Sequence, residues 1–568
     1  MKNTFPQYHP IYLFLVGLLF VGLPLAAWAQ DEVALIHTDK SFYVNGEVIW
    51  YSLYLPGELS DQSISVKAVV FNERGREVDY VFHQTDGKGQ IEGYYKVPFD
   101  ARTGWYRLAF RGLQADNMDV HELGDVLVPI YNDNDSRRLQ ADMVELPQQQ
   151  ETARVLSSAE LAVRLRLEQA EHQPRDAVSL TIEVVDDGGQ AVPAVASVAV
   201  TNWSLVAPAL GTYAGVTTAD LDLPEAPLLD QWYKRIKIVD EDNTPRLASV
   251  IGVWSGEEQR MFFSSRTNTG GVSLLRLPAF SGRKSIQYLG YEKESPNLYT
   301  REIPESAAAI SQELLVTPGL LTYLEKSQQR KKIFQYYNTL EFDVQPAPPE
   351  FAREELKPNQ TFRVNDYESF DNFATFFQEN LSPLRFLEDR ENNRYTAYMY
   401  NPRNNRRNNE YDGRPLFIID GKATRNADFI GRLDLAPIKE VELFFRPEQM
   451  REYFNVMGNS GVVNITLQGE DRVQLPSEDE QNHYAVSGFQ RQANFPVFAP
   501  DQLAPRQPFF RPQLFWTAGV QLKSSGPETI RFVQSDAIGT FRIEVVVQDE
   551  QGRRGYQTLF YEVKPAAE

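Results

Sequence analysis

The 568-residue chain contains no cysteine. No disulfide can staple it, so each domain must be held by its own buried apolar core. No thiolate nucleophile, thiolate metal site or lipid-modified cysteine is available. Histidine is scarce, six in all. Beyond His9, the residues His37, His83, His121, His172 and His483 are never spaced as metal ligands. His121-Glu122 is only a fragment of the helical H-E-x-x-H zinc pattern. A glycine-rich phosphate loop is absent. So is a G-x-S-x-G elbow, since Gly458-Asn459-Ser460-Gly461 is one residue short. Asp186, Asp187, Asp240 and Asp242 fall in turns, where Asp bonds its own backbone. Asp133-Asn134-Asp135-Ser136 lacks the glycine and the bidentate glutamate of a calcium loop and reads as a polar turn. These absences predict no catalytic, cofactor-binding or metal-binding residues: the chain reads as a non-enzyme without cofactors.

Basic residues are outnumbered, 57 against 77 acidic, for a formal net charge of −20. That balance disfavours nucleic acid and anionic lipid as broad partners. Mean hydropathy is −0.41, too low for a polytopic membrane protein. One long apolar run exists, residues 11–25. It follows Lys2 and precedes Ala27-Trp28-Ala29, and it is short for a membrane span. A small-residue A-x-A site after such a core predicts a signal peptide, 1–29, recognised through Ala27 and Ala29 and cut to leave Gln30 first. No integral span remains after that cleavage. The expected location is the periplasm or the outer membrane, without a lipid anchor.

The rest is mostly β in pattern. Residues 30–135 carry strands at 48–55, 64–71, 78–83 and 104–110 with turns between them, the rhythm of a β-sandwich. In 155–225, Val178, Leu180, Ile182 and Val184 alternate with polar or small residues. Asp186 to Gly189 reads as a hairpin turn into 195–200, predicting a second sandwich. Residues 232–300 predict a third β unit, with turns at 240–243 and 268–271. Residues 305–345 read as a helical linker in which Thr317 caps a helix with Pro318 at its first position. Gln328 to Lys332 reads as the solvated face of that helix. Residues 360–468 predict an α/β unit. Its first helix is expected to be capped by Ser369 and to bury Phe370, Phe373, Ala374, Phe377 and Leu381. Residues 469–510 read as a linker and 511–566 as a last sandwich. In that last unit, Gly539-Thr540-Phe541-Arg542-Ile543 echoes Gly104-Trp105-Tyr106-Arg107-Leu108. The stretch 401–409, five asparagines and three arginines, reads as a loop tip.

Three resemblances sharpen this. T-D-K-S-F-Y-V-N-G-E-V-I-W-Y-S-L-Y-L (38–55), with the later G-W-Y-R-L, resembles the MG2 domain of alpha-2-macroglobulin-like proteins. P-L-F-I-I-D-G (415–421), I-x-x-V-E-L (438–443) and G-x-x-G-V-V-N-I-T (458–466) resemble the plug domain of TonB-dependent outer-membrane receptors. A strand, an acidic turn, T-N-T-G-G and another strand in 232–300 resemble the carboxypeptidase-regulatory-like fold. The fold class expected is therefore multi-domain and mainly β, immunoglobulin- or macroglobulin-like sandwiches plus one plug-like α/β domain. About 100 residues follow Leu467, too few for a receptor barrel. The macroglobulin thioester needs a cysteine and cannot form here.

The reading that follows is an exported, non-enzymatic binding or scaffold protein of the cell envelope. Its plug-like domain would serve as a protein-interaction module, its partners being envelope or outer-membrane proteins. The alternatives are a macroglobulin-like protease-binding protein without the thioester and a hydrolase whose site is assembled from distant residues.

Overall fold

The computed structural model describes residues 33–85, 87, 89–114, 119–139, 160–210, 215–220, 224, 226–255, 260–277, 280–291, 298–337, 344, 357–367, 370–399, 414–446, 460–469, 474–476, 482–497 and 506–565. The segment with Ala27 and Ala29, the stretch 401–409, Ser369 and Gly458 lie outside the described residues.

The first unit contains β1 (Val33–Thr38), β2 (Tyr43–Val44), β3 (Val48–Tyr54), β4 (Ser65–Phe71), β5 (Glu77–Gln84), β6 (Gln90–Lys96), β7 (Gly104–Leu113) and β8 (Val120–Tyr131). The chain continues through β9 (Ala162–Leu167), β10 (Glu171–His172), β11 (Ala177–Val185), β12 (Ala194–Asn202), helix α1 (Trp203–Leu210) and β13 (Val216–Asp220). Strand β13 returns to the first unit, whose two sheets run β13-β1-β3-β6 and β2-β8-β7-β4-β5. Successive side chains of a strand point to opposite faces. In β3, Ile49, Tyr51 and Leu53 enter the sandwich core. Trp50 and Tyr54 pack outward on the second unit. Both faces are covered, which explains an apolar run without polar alternation.

The second unit is built from both halves of the chain. Strands β28 (Gln513–Leu522), β29 (Glu528–Val533), β30 (Gly539–Asp549) and β31 (Arg554–Val563) complete sheets ordered β10-β31-β30-β12-β28 and β29-β11-β9. The segments 155–225 and 511–566, expected as two sandwiches, thus share one core that joins Val178, Leu180 and Val198 to Phe532, Ile543 and Val545. Asp186 to Gly189 is the expected hairpin turn, closed by an antiparallel bridge between Val185 and Ala191 and by the Val192 amide donating to the Val184 carbonyl. It carries the chain from β11 in one sheet to β12 in the other. An alternating pattern fixes which face of a strand is buried, not which strand pairs with it.

The third unit pairs β14 (Trp232–Val239) with β17 (Val272–Leu277) and β19 (Tyr299–Glu302). It also orders β15 (Ser249–Ser255), β16 (Arg260–Arg266), β18 (Arg283–Tyr291) and β27 (His483–Ser487) as β16-β15-β18-β27. Residues 469–510, expected as a linker, therefore supply a strand. The unit's core extends onto Val69, Phe71, Ala109 and Leu113, the outer face of the first sandwich.

Helix α2 (Pro318–Tyr337) is not a linker either. Thr317 caps it as expected, its Oγ1 accepting from the Leu320 amide at 3.0 Å. Leu320, Tyr323 and Leu324 then bury against α1, Phe42, Val44 and Tyr131. Its basic run is not simply solvated. Arg330 is buried, Gln328 donates to the Asp133 carbonyl, and Lys331 Nζ sits 2.6 Å from Asp133 Oδ2. Asp133 opens a single turn of 3-10 helix and is itself buried, so the expected polar turn is a helix anchor.

The α/β unit holds β20 (Gln360–Arg363), helix α3 (Phe373–Glu379), the hairpin β21 (Leu384–Asp389) and β22 (Arg394–Met399), β23 (Leu416–Ile419), β24 (Lys422–Thr424), helix α4 (Ala427–Gly431), β25 (Ile438–Phe444) and β26 (Val462–Leu467). The cap of α3 is Asn372, which accepts from Thr375, rather than Ser369. Leu381 lies beyond the helix end and is 93% exposed. The sheet order is β20-β25-β26-β23-β24, with β23 and β26 parallel. Phe417 and Ile419 face the helices, whereas Leu416 and Ile418 face Ile251, Val253 and Leu289 of the third unit. The turn after β23 uses positive φ at Asp420 and Gly421, and Asp420 Oδ1 accepts from the Leu467 amide. Four units thus stack face to face: second sandwich, first sandwich, third unit, α/β unit.

Candidate binding cleft between the two sandwiches

Strands β6 and β28 are each the last strand of their sheet, and both line a cleft of about 360 Å³. Residues 489–495, which follow β27, form its third wall. Trp50 from β3 and Trp516 from β28 are almost buried at its base, 5% and 4% exposed. The Trp50 ring lies 5.5 Å from Tyr94 and 5.7 Å from Phe495. Around this aromatic floor the lining is rich in amides, Gln84, Gln490, Gln492, Asn494 and Gln521 among them, with Arg491 and Glu92 as charged residues.

One amide shows how the edge is handled. Gln490 Nε2 donates to the Tyr94 carbonyl at 2.7 Å, and the Tyr94 amide donates to Gln490 Oε1 at 3.0 Å. The side chain thereby stands in for a neighbouring strand on β6, blunting an edge that would otherwise recruit another chain. Gly93 makes the fit possible, because a Cβ there would lie 2.5 Å from Tyr51 Oη and 2.7 Å from Gln490 Oε1. The same device recurs on β24, where Gln287 Nε2 donates to the Ala423 carbonyl at 2.6 Å and its Oε1 accepts from the Ala423 amide at 2.7 Å. On the β28 side the pairing with β12 shifts register beside Gly519, which has φ +73° and marks a bulge.

The histidines noted in the sequence form no metal-binding cluster among the described residues. His83 borders the cleft but is buried and hydrogen-bonded to Tyr51 Oη at 2.8 Å. Burial holds its pKa down, at about 3. His37 Nδ1 meets Ser197 Oγ at 2.6 Å, an arrangement that resembles an activated nucleophile. Both side chains are 0% exposed, however, and burial followed by the Arg542 charge lowers His37 to about 3. Tyr54 Oη donates to the same Ser197 oxygen at 2.7 Å, so the serine links β3 to β12 and cannot meet a substrate. His172 is buried 5.5 Å from the Tyr561 ring, and His483 lies in β27. Among the described residues no group of three or more His, Asp or Glu could hold a metal ion. Asp240 accepts from the amides of Asp242 and Thr244, and Asp186 from Gln190, the turn roles expected of them.

A second set of titratable groups joins the first and third units. Lys67 Nζ lies 2.6 Å from Glu305 Oε1 and 3.6 Å from Glu77, and Arg111 lies 2.7 Å from Glu305 Oε2. Lys234 reaches Glu77 at 3.7 Å and Glu302 at 3.4 Å. The Tyr80 ring sits beneath both lysines, 4.4 and 4.0 Å away. Burial pushes the Glu305 carboxyl up, but Lys67 and Arg111 outweigh it and hold the group below the usual range. Lys67, Lys234 and Arg111 face Glu77, Glu302 and Glu305, with the more exposed Glu122 also 3.4 Å from Arg111, and the cluster fastens two sheets. Sequence reasoning missed both this cluster and the cleft, since their members lie hundreds of residues apart, 396 in the case of Tyr94 and Gln490.

No family model matches the chain, and no curated protein matches it. Among solved structures it is similar to trypsin-activated alpha-2-macroglobulin from Escherichia coli, at 8% identity and a TM-score of 0.23, over 96% of this chain and 42% of that one. It is similar also to Salmonella alpha-2-macroglobulin reacted with methylamine, at 10% identity and 0.23, over 96% and 40%. The adhesin InvE of Yersinia pseudotuberculosis matches at 11% identity and 0.13, over 49% and 61%. The chain spans less than half the length of these macroglobulins, and TM-scores this low identify no function.

Proposed function

We propose that this protein is an exported, non-enzymatic scaffold that binds other polypeptides in the cell envelope, with the cleft between its sandwiches as the main grip. The observation that carries the reading is the lining of that cleft. An aromatic floor and a rim of amides suit an extended chain, which offers backbone groups to the amides and side chains to the rings. A nucleophile paired with an accessible base is missing from the same walls. The A-x-A site at Ala27 and Ala29 supports export to the periplasm or outer membrane. The plug-like motif supports a docking role for the α/β unit. One face of its sheet already rests on the third unit, so it serves as part of a stack rather than as a gate.

The test is a photo-crosslinking residue at Gln492, on the cleft rim, with Glu168 on the far sheet as control, in cells fractionated by compartment. Envelope proteins joined to the protein from position 492 and not from 168 are the expected result. Equal labelling from both positions, or recovery only in the cytoplasm, would overturn the proposal. A protease as the captured partner would favour the macroglobulin-like alternative.

A further inference from the structure

A second cleft, of about 400 Å³, lies at the end of the first sandwich, between the β4–β5 turn and the start of β7. Arg74, Arg76 and Arg102 line it, and all three are exposed. Among the described residues none of them forms an ion pair. Glu73 and Asp100 share the lining, so three cations face two anions, a local excess of +1 in a chain whose formal charge is −20. Tyr95, Trp105 and Tyr106 supply aromatic walls. The Tyr95 hydroxyl is held protonated by burial and has no hydrogen-bond partner among the described residues, which leaves it as a donor at the cleft.

The turn that carries two of the arginines is fixed from behind. Asn72 Oδ1 accepts from the amides of Arg74 at 3.0 Å and Arg76 at 3.2 Å. The strap 303–316 runs along it, with the Ala307 amide donating to the Gly75 carbonyl and the Ile310 amide to the Glu73 carbonyl. Gly75 has φ +70°, and a Cβ there would lie 1.9 Å from the Ala307 carbonyl oxygen. The strap also accepts from Trp105 Nε1 through the Glu313 carbonyl at 3.3 Å. Guanidinium forks on a backbone this constrained lose less freedom on binding than they would on a loose loop.

We propose that this cleft binds an acidic peptide segment, its carboxylates on Arg74, Arg76 and Arg102 and an apolar side chain against the aromatic wall. The planar guanidinium matches a carboxylate through two parallel hydrogen bonds. The acidity of the whole chain selects a short segment over a long polyanion. A polyanion feels the repulsion of the entire molecule, whereas a few carboxylates within a Debye length of about 8 Å feel mainly the arginine rim. The site is separate from the cleft between the sandwiches and does not depend on it.

Fluorescence anisotropy with the full chain tests this, using a labelled Glu-Glu-Leu-Glu-Glu-Leu peptide and its lysine counterpart. Binding of the acidic peptide, weakened by salt, is expected. It should fall by at least about tenfold in Arg74→Ala/Arg102→Ala, the loss of one or more charge-assisted hydrogen bonds. Tyr95→Phe keeps the ring and should weaken binding by a smaller factor, and Arg491→Ala in the other cleft should leave it unchanged. The substituted arginines are exposed, so thermal midpoints should match the parent protein. No binding, equal binding of the lysine peptide, or undiminished binding by the arginine variant would overturn the proposal. So would a heparin fragment that binds more tightly than the acidic peptide.

Discussion

Lys67 is 2% exposed and Glu305 6%, and neither could be buried without the other. A buried ion pair adds little over a hydrophobic pair of the same volume, but removing one partner strands a charge. Lys67→Ala is expected to destabilise the protein by about 3–5 kcal/mol, read as a lower urea midpoint. Three other buried groups predict how stability follows pH. His37 and His83 have folded pKa values near 3, depressed by burial from an ordinary 6.5. Between those values the unfolded chain binds more protons, so each histidine lowers stability as pH falls, by about 1.4 kcal/mol per unit. Asp39 acts in the opposite sense, since burial, only partly offset by Lys40 and by hydrogen bonds from Tyr43 and Trp50, raises it from 3.8 to about 7. Through that window the folded state holds the extra proton, and stability falls as pH rises. Asp39→Asn keeps an oxygen for the Tyr43 hydroxyl and the Trp50 amide while removing this opposing titration. The variant should lose more stability than the parent between pH 6 and pH 5; an unchanged pH slope in urea denaturation would show that Asp39 does not titrate there.

At the scale of elements, α2 shows how a local signal and a tertiary role meet. Thr317 and Pro318 announce the helix start in sequence, and the cap bond is there. The same hydroxyl also donates to the Ala209 carbonyl at the end of α1. Thr317→Ala should therefore cost about 1–2 kcal/mol, the upper end for a cap, whereas Thr317→Ser should be nearly neutral; thermal denaturation distinguishes them. The docking of α2 was not legible from its own residues. Its contacts run to the T-D-K-S-F-Y-V-N-G-E stretch, with Tyr323 Oη donating to Glu47 and Lys331 Nζ to Asn45 and Asp133. Strand β23 was legible, because four consecutive apolar residues ending at Asp-Gly can only be a strand covered on both sides before a tight turn. What covers its second face came from a unit more than 100 residues earlier.

For the whole molecule, the chain runs outward through the stack and then back. Its first part lays down one sandwich and half of the next, the middle builds the third and α/β units, and the last part returns to close the second sandwich. Removing residues 511–568 takes away β28 to β31 and strips both partners from β12 and one from β11. Hydrogen exchange should then quicken across 162–202 and spread into β1 and β3, which rest on that sandwich through His37 and Tyr54. The α/β unit, at the far end of the stack, should keep its protection. Equal protection of β11 and β12 with and without the last strands would refute this division. Pairing of such distant segments also predicts slow refolding, because loop closure must precede the contacts that reward it.

The sequence by itself determined where most strands and turns lie, that no disulfide or thioester exists, and that the chain is mainly β. These are local facts, written in period-2 alternation, in β-branched runs and in Gly and Asp at positions of positive φ. Tertiary structure decided which strands pair, that the two outer halves form one sandwich, and that Trp50, Tyr94, Gln490 and Trp516 meet at a cleft. Backbone hydrogen bonds are the same for every residue, so a strand's sequence specifies its buried face but not its neighbour. The neighbour is chosen when whole faces are matched and covered, and that choice is made in the packed stack.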